Sequence, residues 1–335
     1  MGAEATDGGA GTRGGDAIGR RFGAWRVEAE LGAGAMGVVY RVVHDGDGRR
    51  AALKTVRGID GTLLRGMRRE IRALGRLAHP GIVRILDDGL ADAVPWYVME
   101  LLEGTTLRAS FEAAAPRESA EEGATAQTAL DVTQDGSRAR APLSLAPAPS
   151  EVSRDEGLRR MVALCDALAF LHGEGVVHLD LKPDNVFLTT DGRVVLMDFG
   201  LATRVTGGKG RESLDVAIRG AGTVLYISPE QLRGDSLDGR ADLYALGAML
   251  YEVSAGRPPF VGPYLSVAFG HLNAPPVPLS DLVPGAPAPL VKLVASLLQK
   301  QPWQRPGYAA DVRRALVALV GEPATPPGPP PRPFL

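Results

Sequence analysis

Val177-His178-Leu179-Asp180-Leu181-Lys182-Pro183-Asp184-Asn185 places a carboxylate, an amine and a carboxamide within the six residues from Asp180 to Asn185. The run follows a helix-sized apolar segment, Leu158 to Leu171, that stops at Gly173 and Gly175. It precedes a predicted hairpin, in which Val186-Phe187-Leu188 pairs across Asp191-Gly192 with Val194-Val195-Leu196-Met197. Asp198-Phe199-Gly200 follows directly. Aspartates and an asparagine held this closely suit a hydroxyl proton acceptor combined with oxygen ligands for Mg²⁺, a cation that prefers carboxylate, carboxamide and phosphate oxygens.

Upstream, Trp25-Arg26-Val27-Glu28-Ala29-Glu30-Leu31 alternates like a strand, and Val38 to Val43 reads as a second one. Gly32-Ala33-Gly34-Ala35-Met36-Gly37 joins them. A lone G-x-G-x-x-G says little, and in a dinucleotide-binding unit it would open a helix. Here it closes a hairpin, where a backbone without Cβ atoms brings its N–H groups close to phosphate oxygens. A tight turn at Asp45-Gly46-Asp47-Gly48 leads into Arg50-Ala51-Ala52-Leu53-Lys54, which puts a lysine one strand away.

Leu64, Met67, Ile71 and Leu74 recur at helical spacing, and Glu70 lies beside that stripe, from where its carboxylate can point toward Lys54. Gly81 to Leu86 and Pro95 to Leu102 read as strands around a turn at Asp87-Asp88-Gly89. Five strands and one helix predict a small α+β lobe. A helix is expected from Thr105-Thr106-Leu107 to about Ala115, then an inserted, disordered run over 116–154, rich in Ala, Pro, Ser and Glu. Lengthening a loop from ~5 to ~40 residues costs only about 2 kcal/mol. Residues 203–222 hold five glycines and predict a long mobile loop. Leu243, Leu246, Leu250 and Val253 mark a helix buried on most sides, with further helices near 290–299 and 309–320.

Hydrophobic content of 45% supports a real core, and 37 basic against 39 acidic residues argue against a dedicated nucleic-acid binder. The single cysteine, Cys165, has no intramolecular disulfide partner and reads as core. No run reaches the 18 apolar residues of a membrane span, and the N-terminus lacks the pattern of a secretory signal. Gly2 and Thr6 satisfy the loose myristoylation pattern, but the Gly-rich tract reads as a plain tail. The expectation is a cytoplasmic protein, with a disordered tail at 1–21, lobes at 22–102 and 103–320, and a Pro-rich tail at 321–335.

Taken together the motifs form an ordered series, and the chain resembles the eukaryotic-like (Hanks-type) protein Ser/Thr kinases, in particular their bacterial branch, from about Phe22 to Val320. Gly32, Gly34, Gly37 and Val39 match the Gly-rich loop, Ala51-Ala52-Leu53-Lys54 the V-A-I-K strand, and Glu70 the helix-C glutamate. Asp180, Lys182 and Asn185 match the catalytic loop, Asp198-Phe199-Gly200 is intact, and Ser228-Pro229-Glu230 stands for A-P-E. Asp242 and Arg305 match later positions, and Glu230 with Arg305 is expected to form a structural ion pair.

The resemblance implies a bilobal α+β fold, a β-rich small lobe and a helical large one. It implies ATP and Mg²⁺, with Mn²⁺ as a substitute, and transfer of the γ-phosphoryl to Ser or Thr of proteins, this chain included. By the same resemblance Lys54, held by Glu70, contacts the α/β-phosphates, and Asp198 and Asn185 hold the metal. Asp180 accepts the hydroxyl proton and Lys182 steadies the γ-phosphate. Leu31, Ala33 and the loop glycines cover the nucleotide; Val39, Ala52 and Phe187 sandwich adenine. Met99 is the gatekeeper, and Glu100 to Leu102 form the hinge. One departure stands out. Leu179 occupies a position where many members carry an Arg that pairs with a phosphorylated activation-loop residue. The alternative reading is a pseudokinase scaffold, against which Lys54, Asp180 and Asp198 all speak by their presence. Oligomeric state and substrate sequence are not legible.

Overall fold

Period-two burial builds the first lobe. A computed structural model of the protein describes residues 17–34, 37–55, 71, 74–75, 77–91, 94–114, 151–199, 203–204 and 223–322. Strands β1 (Arg21–Phe22), β2 (Trp25–Gly34), β3 (Gly37–His44), β4 (Arg50–Thr55), β5 (Ile85–Ala91) and β6 (Val94–Met99) form one antiparallel sheet in the order β1-β2-β3-β4-β6-β5. Phe22, Trp25, Val27, Val42, Ala51, Leu53, Trp96 and Val98 pack together in the core of this lobe. Side chains alternate along a strand, so Ala52 and Lys54 leave β4 on the face opposite Ala51 and Leu53. Directly opposed residues share a face, which places Val39, opposite Lys54, and Met99, opposite Ala52, beside them.

Several details differ from the sequence expectation. Residues 17–21 belong to the fold, because Gly19 N donates to the Val27 carbonyl, Val27 N donates to that of Arg20, and buried Phe22 anchors β1. Asp87-Asp88-Gly89 is not a turn but the middle of β5. There Asp87 accepts a hydrogen bond from Trp25 Nε1 at 2.9 Å, and a Cβ on Gly89 would lie 2.5 Å from the Trp96 ring. Local composition resembled a turn, but packing of two tryptophans keeps the chain extended. Thr105 and Thr106 lie in a strand rather than opening the helix, which starts at Leu107 with Thr106 Oγ1 accepting from Ala109 N. The expected helix around Glu70 falls outside the described residues apart from Ile71 and Leu74.

The second lobe begins with β7 (Gly104–Thr106) and helix α1 (Leu107–Ala114), then α2 (Glu151–Gly173) and β8 (Val176–Val177). Strands β9 (Val186–Thr189), β10 (Val194–Leu196) and β11 (Thr203–Arg204) follow. Gly104 has φ 146°, and a Cβ there would sit 2.0 Å from the Leu188 carbonyl oxygen, so only glycine lets β7 pair with β9 directly after the interlobe segment. Helix α2 starts at Glu151, so 151–154 belong to it rather than to the insertion, with Arg154 buried. The remaining insertion, the expected 203–222 loop apart from Thr203–Arg204 of β11, and the Pro-rich tail from residue 323 lie outside the described residues.

Helices α3 (Pro229–Arg233), α4 (Gly239–Ala255), α5 (Tyr264–Asn273), α6 (Leu279–Leu282), α7 (Ala288–Leu297) and α8 (Ala309–Val320) complete the lobe. Every residue of α4 from Ala241 to Ala255 is buried. Its four apolar anchors, Leu243, Leu246, Leu250 and Val253, each contribute about 1.5–3 kcal/mol on burial. Asp238 caps its start by accepting from Arg240 N, and Gly256, at φ 74°, ends it. α4 packs against α2 and α7, and α8 lies along α2. Among the described residues no helix is long and apolar enough to cross a membrane.

Candidate active site

Lys54 is 5% exposed on the inner strand β4 and donates to Asp198 Oδ1 at 2.5 Å, joining the two lobes. The Lys54 ammonium holds the Asp198 carboxyl below its usual range against the effect of burial, helped by the hydrogen bond and by the charge of Lys182. Asp198 has φ 59°, a left-handed backbone that a non-glycine residue adopts only at a cost of roughly 1–3 kcal/mol. Neighbouring backbone bonds hold this strand end in place. Val83 N donates to the Leu196 carbonyl, Leu196 N to that of Gly81, and Met197 N to that of Asn185.

In the loop itself, Lys182 Nζ bridges both carboxylate oxygens of Asp180, at 3.0 and 2.9 Å. Asn185 Nδ2 donates to the Asp180 carbonyl at 2.8 Å and to its Oδ2 at 3.1 Å. Those two acceptors assign Nδ2 to the Asp180 side and turn Oδ1 away from it. Pro183 starts a 3₁₀ turn through Asn185, which is why a carboxamide five residues on reaches back to Asp180. His178 Nδ1 accepts from Asp180 N at 3.2 Å, so its Nε2 carries the proton and donates to the Met197 carbonyl at 3.0 Å. One histidine thus ties the loop to the residue before Asp198.

The loop rests on Asp242 of α4. Its Oδ2 accepts from His178 N and from His172 Nε2, both at 2.9 Å, and its Oδ1 accepts from Leu179 N at 2.8 Å. Burial opposes its ionisation, but the hydrogen bond and charge of His172, with His178 adding to them, hold its carboxyl below the usual range. Leu179 sits at φ 64°, a second strained residue, and its carbonyl accepts from Gln231 Nε2 at 2.7 Å. Its side chain packs with Val177, Leu237 and Ala241. The residue that replaces the family's arginine is therefore an apolar plug.

The other expected site residues are placed as follows. Val39, Ala52, Lys54 and Met99 share one sheet face, and Phe187 reaches its half-buried position from β9 in the other lobe. Leu31, Gly32 and Ala33 are exposed at the outer end of β2, and Gly34 pairs with Gly37. A Cβ on Gly32 would meet nothing within 4 Å, so internal packing does not demand glycine there. Between the lobes, Glu100 N donates to the Arg84 carbonyl at 3.0 Å, and Leu102 is half-buried. Glu70 and Gly200 lie outside the described residues. Sequence reasoning missed the anchoring parts of Asp242, His172 and Gln231. A charged residue inside the apolar run 241–255 was the available signal.

This fold and cleft define a protein kinase. The chain belongs to the protein kinase domain family, whose profile matches residues 25–316. It is 35% identical over 262 residues to the serine/threonine-protein kinase PknB of Mycobacterium tuberculosis, covering 76% of this chain and 36% of that protein. It is 32% identical over 297 residues to PknB of Mycobacterium leprae, covering 86% and 42%. The chain thus spans roughly two fifths of the length of these curated relatives. Among solved structures, a variant of the Mycobacterium tuberculosis PknI kinase domain aligns with a TM-score of 0.63 at 27% identity, covering 91% of this chain and 99% of that one.

Proposed function

We propose that this chain is an ATP-dependent protein kinase that phosphorylates Ser and Thr hydroxyls, its own among them. The observation that carries the reading is the pair of differently dressed carboxylates at one interlobe cleft. Asp180, 6% exposed, is cupped by Lys182 and Asn185, whereas Asp198 is 41% exposed in its side chain and faces Lys54. Unequal environments give paired carboxylates unequal tasks.

Asp180 orients the acceptor hydroxyl and takes its proton while the oxygen bonds to the γ-phosphorus. The bond from that phosphorus to the bridging oxygen breaks, and ADP leaves. Lys182, bound to both Asp180 oxygens, also steadies the γ-phosphoryl. Lys54 contacts the α/β-phosphates, with Glu70 as its expected support. Asp198 and Asn185 fit Mg²⁺ in donor chemistry, because the ion needs only one or two protein oxygens when phosphates and waters complete its shell. Mn²⁺ accepts the same donors. Bound metal would neutralise phosphate charge. Val39, Ala52 and Phe187 enclose adenine, Met99 backs it, and Glu100 and Leu102 bond it through their backbone. Leu31, Gly32, Ala33, Gly34 and Gly37 lie over the phosphates, which accounts for a glycine at position 32 that packing does not require.

The test is phosphate incorporation from labelled ATP with Mg²⁺, with sites mapped by mass spectrometry on the chain and on added histone. Lys54→Met should retain the fold and lose about 10²–10³-fold in rate. Label confined to a small metabolite would sink the protein-kinase reading; ATP binding without any transfer would favour a scaffold.

Leu179 carries a second expectation. An apolar side chain cannot pair with a phosphate, so activity should not depend on activation-loop phosphorylation through this contact. Replacing Thr203, Thr206 and Ser213 together by Ala should leave the rate of histone labelling within about threefold of wild type, since a phosphate on any of them would find no cation at position 179. Abolished labelling in a folded triple variant would contradict this.

A further inference from the structure

Arg108, the second residue of α1, is a cation the reaction above does not use. Its Nη1 donates to Glu252 Oε1 of α4 at 2.6 Å, and its Nη2 donates to the Tyr226 hydroxyl. That hydroxyl donates in turn to Glu252 Oε2 at 2.5 Å, closing a ring of three side chains. Burial, reinforced by the Glu252 charge, pushes the Tyr226 hydroxyl well above its ordinary range, so it remains the donor. Arg108 Nε has no hydrogen-bond partner among the described residues and lies 3.5 Å from Asp184 Oδ2, in the loop between Lys182 and Asn185. The Arg108 and Glu252 side chains are 11% and 6% exposed, whereas Asp184 is 42% exposed.

One guanidinium therefore joins four separate pieces: α1, the catalytic loop, α4 and the stretch Val224–Ser228 that holds Tyr226. The far end of that stretch is tied independently, since Ser228 caps α3 and Gln231 of α3 donates to the Leu179 carbonyl at 2.7 Å. Val224–Ser228 is thus clamped to the catalytic loop at two points. The groups assigned to adenine and the α/β-phosphates come from β2, β3, β4, β6, β9 and the interlobe segment, and none of them bonds Arg108. Lys182 and Asn185, assigned to the γ-phosphoryl and the metal, flank Asp184, whose exposed carboxylate makes, among the described residues, only the 3.5 Å contact with Arg108 Nε. Loosening the Arg108 clamp would shift the acceptor side of the cleft relative to Asp180 and spare the nucleotide side.

We propose that Arg108 is a positioning residue, which sets the placement of Val224–Ser228 against the catalytic loop and so governs use of the protein acceptor. It rests on the kinase reading above. Steady-state kinetics should be measured separately for ATP and for histone as acceptor, together with ATP hydrolysis without acceptor. In Arg108→Met, kcat/KM for histone should fall about tenfold to hundredfold, the range expected when a reacting group is displaced by a fraction of an ångström to an ångström. KM for ATP and acceptor-free hydrolysis should stay within about twofold. Arg108→Lys, which keeps the charge, should recover part of the loss. Because Arg108→Met leaves Glu252 buried without its partner, the double variant Arg108→Met/Glu252→Gln removes both charges and carries the test if the single variant does not fold. A folded double variant with wild-type histone kinetics overturns the proposal. So do equal losses in histone labelling and ATP hydrolysis that Arg108→Lys does not relieve. Wild-type protein that hydrolyses ATP but labels no acceptor overturns the kinase reading itself and this proposal with it, and is recognised without any variant.

Discussion

Asp180→Asn should lower phosphoryl transfer by about 10²–10⁴-fold, the usual share of a positioned general base, with the fold and ATP affinity kept. The substitution retains shape and changes one property, proton acceptance. Asn185 Nδ2 keeps its 2.8 Å bond to the residue 180 carbonyl, and the backbone amide keeps its bond to His178 Nδ1. Lys182 loses the charge of its partner, which removes a second contribution from the same position. The measurement is single-turnover label transfer to histone, with ATP affinity from equilibrium titration. Transfer within about tenfold of wild type would mean that another group takes the proton, because tenfold is only about 1.4 kcal/mol of barrier.

The largest loss of stability should come from Arg305→Ala. Its guanidinium is fully buried and binds Glu230 through two bonds, 2.6 Å from Nη1 and 2.8 Å from Nη2. It also donates to the carbonyls of Gln299 and Arg240, both at 2.8 Å, and lies 4.8 Å from the Tyr244 ring centre. Removing it strands the Glu230 carboxylate, 2% exposed, in the interior. Breaking one side of such a pair costs about 3–5 kcal/mol, whereas replacing both sides is often nearly neutral. Tm should fall by roughly 6–20 °C in Arg305→Ala, and Arg305→Met/Glu230→Gln should regain much of it. An unchanged Tm for Arg305→Ala would show that the pair is solvated in solution. Since Glu230 follows Ser228, the same loss should loosen the acceptor side of the cleft.

Much of the site was legible because kinase chemistry concentrates its groups in short runs. Asp180, Lys182 and Asn185 fall within six residues, and their contacts are local, closed by a 3₁₀ turn started at Pro183. The hairpins around Gly32–Gly37 and Asp191-Gly192 were readable from alternation and turn residues, and β2–β3 and β9–β10 pair accordingly. The buried helix at Leu243–Val253 followed from its apolar spacing. Where the reading slipped, a distant partner overruled local composition. Asp87-Asp88-Gly89 looks like a turn on its own, yet Trp25 and Trp96 hold it in a strand. Residues 17–21 look too polar and too glycine-rich to order, yet the edge of a sheet needs only backbone groups and one buried phenylalanine.

What the sequence alone determined is the family and the bilobal order of elements, and it singled out the side chains proposed to react, since each of these is written in spacing over a few residues. Tertiary structure decided which residues hold those side chains at work. Lys54 meets Asp198 and Arg108 meets Glu252 across 144 residues each, and Asp242 fixes the Leu179 amide across 63. Periodicity reports which face of an element is buried, not which distant charge it will meet there. The left-handed backbones at Leu179 and Asp198 have the same origin. Leucine disfavours that conformation and aspartate visits it only occasionally, and hydrogen bonds from separate elements help to hold both in place.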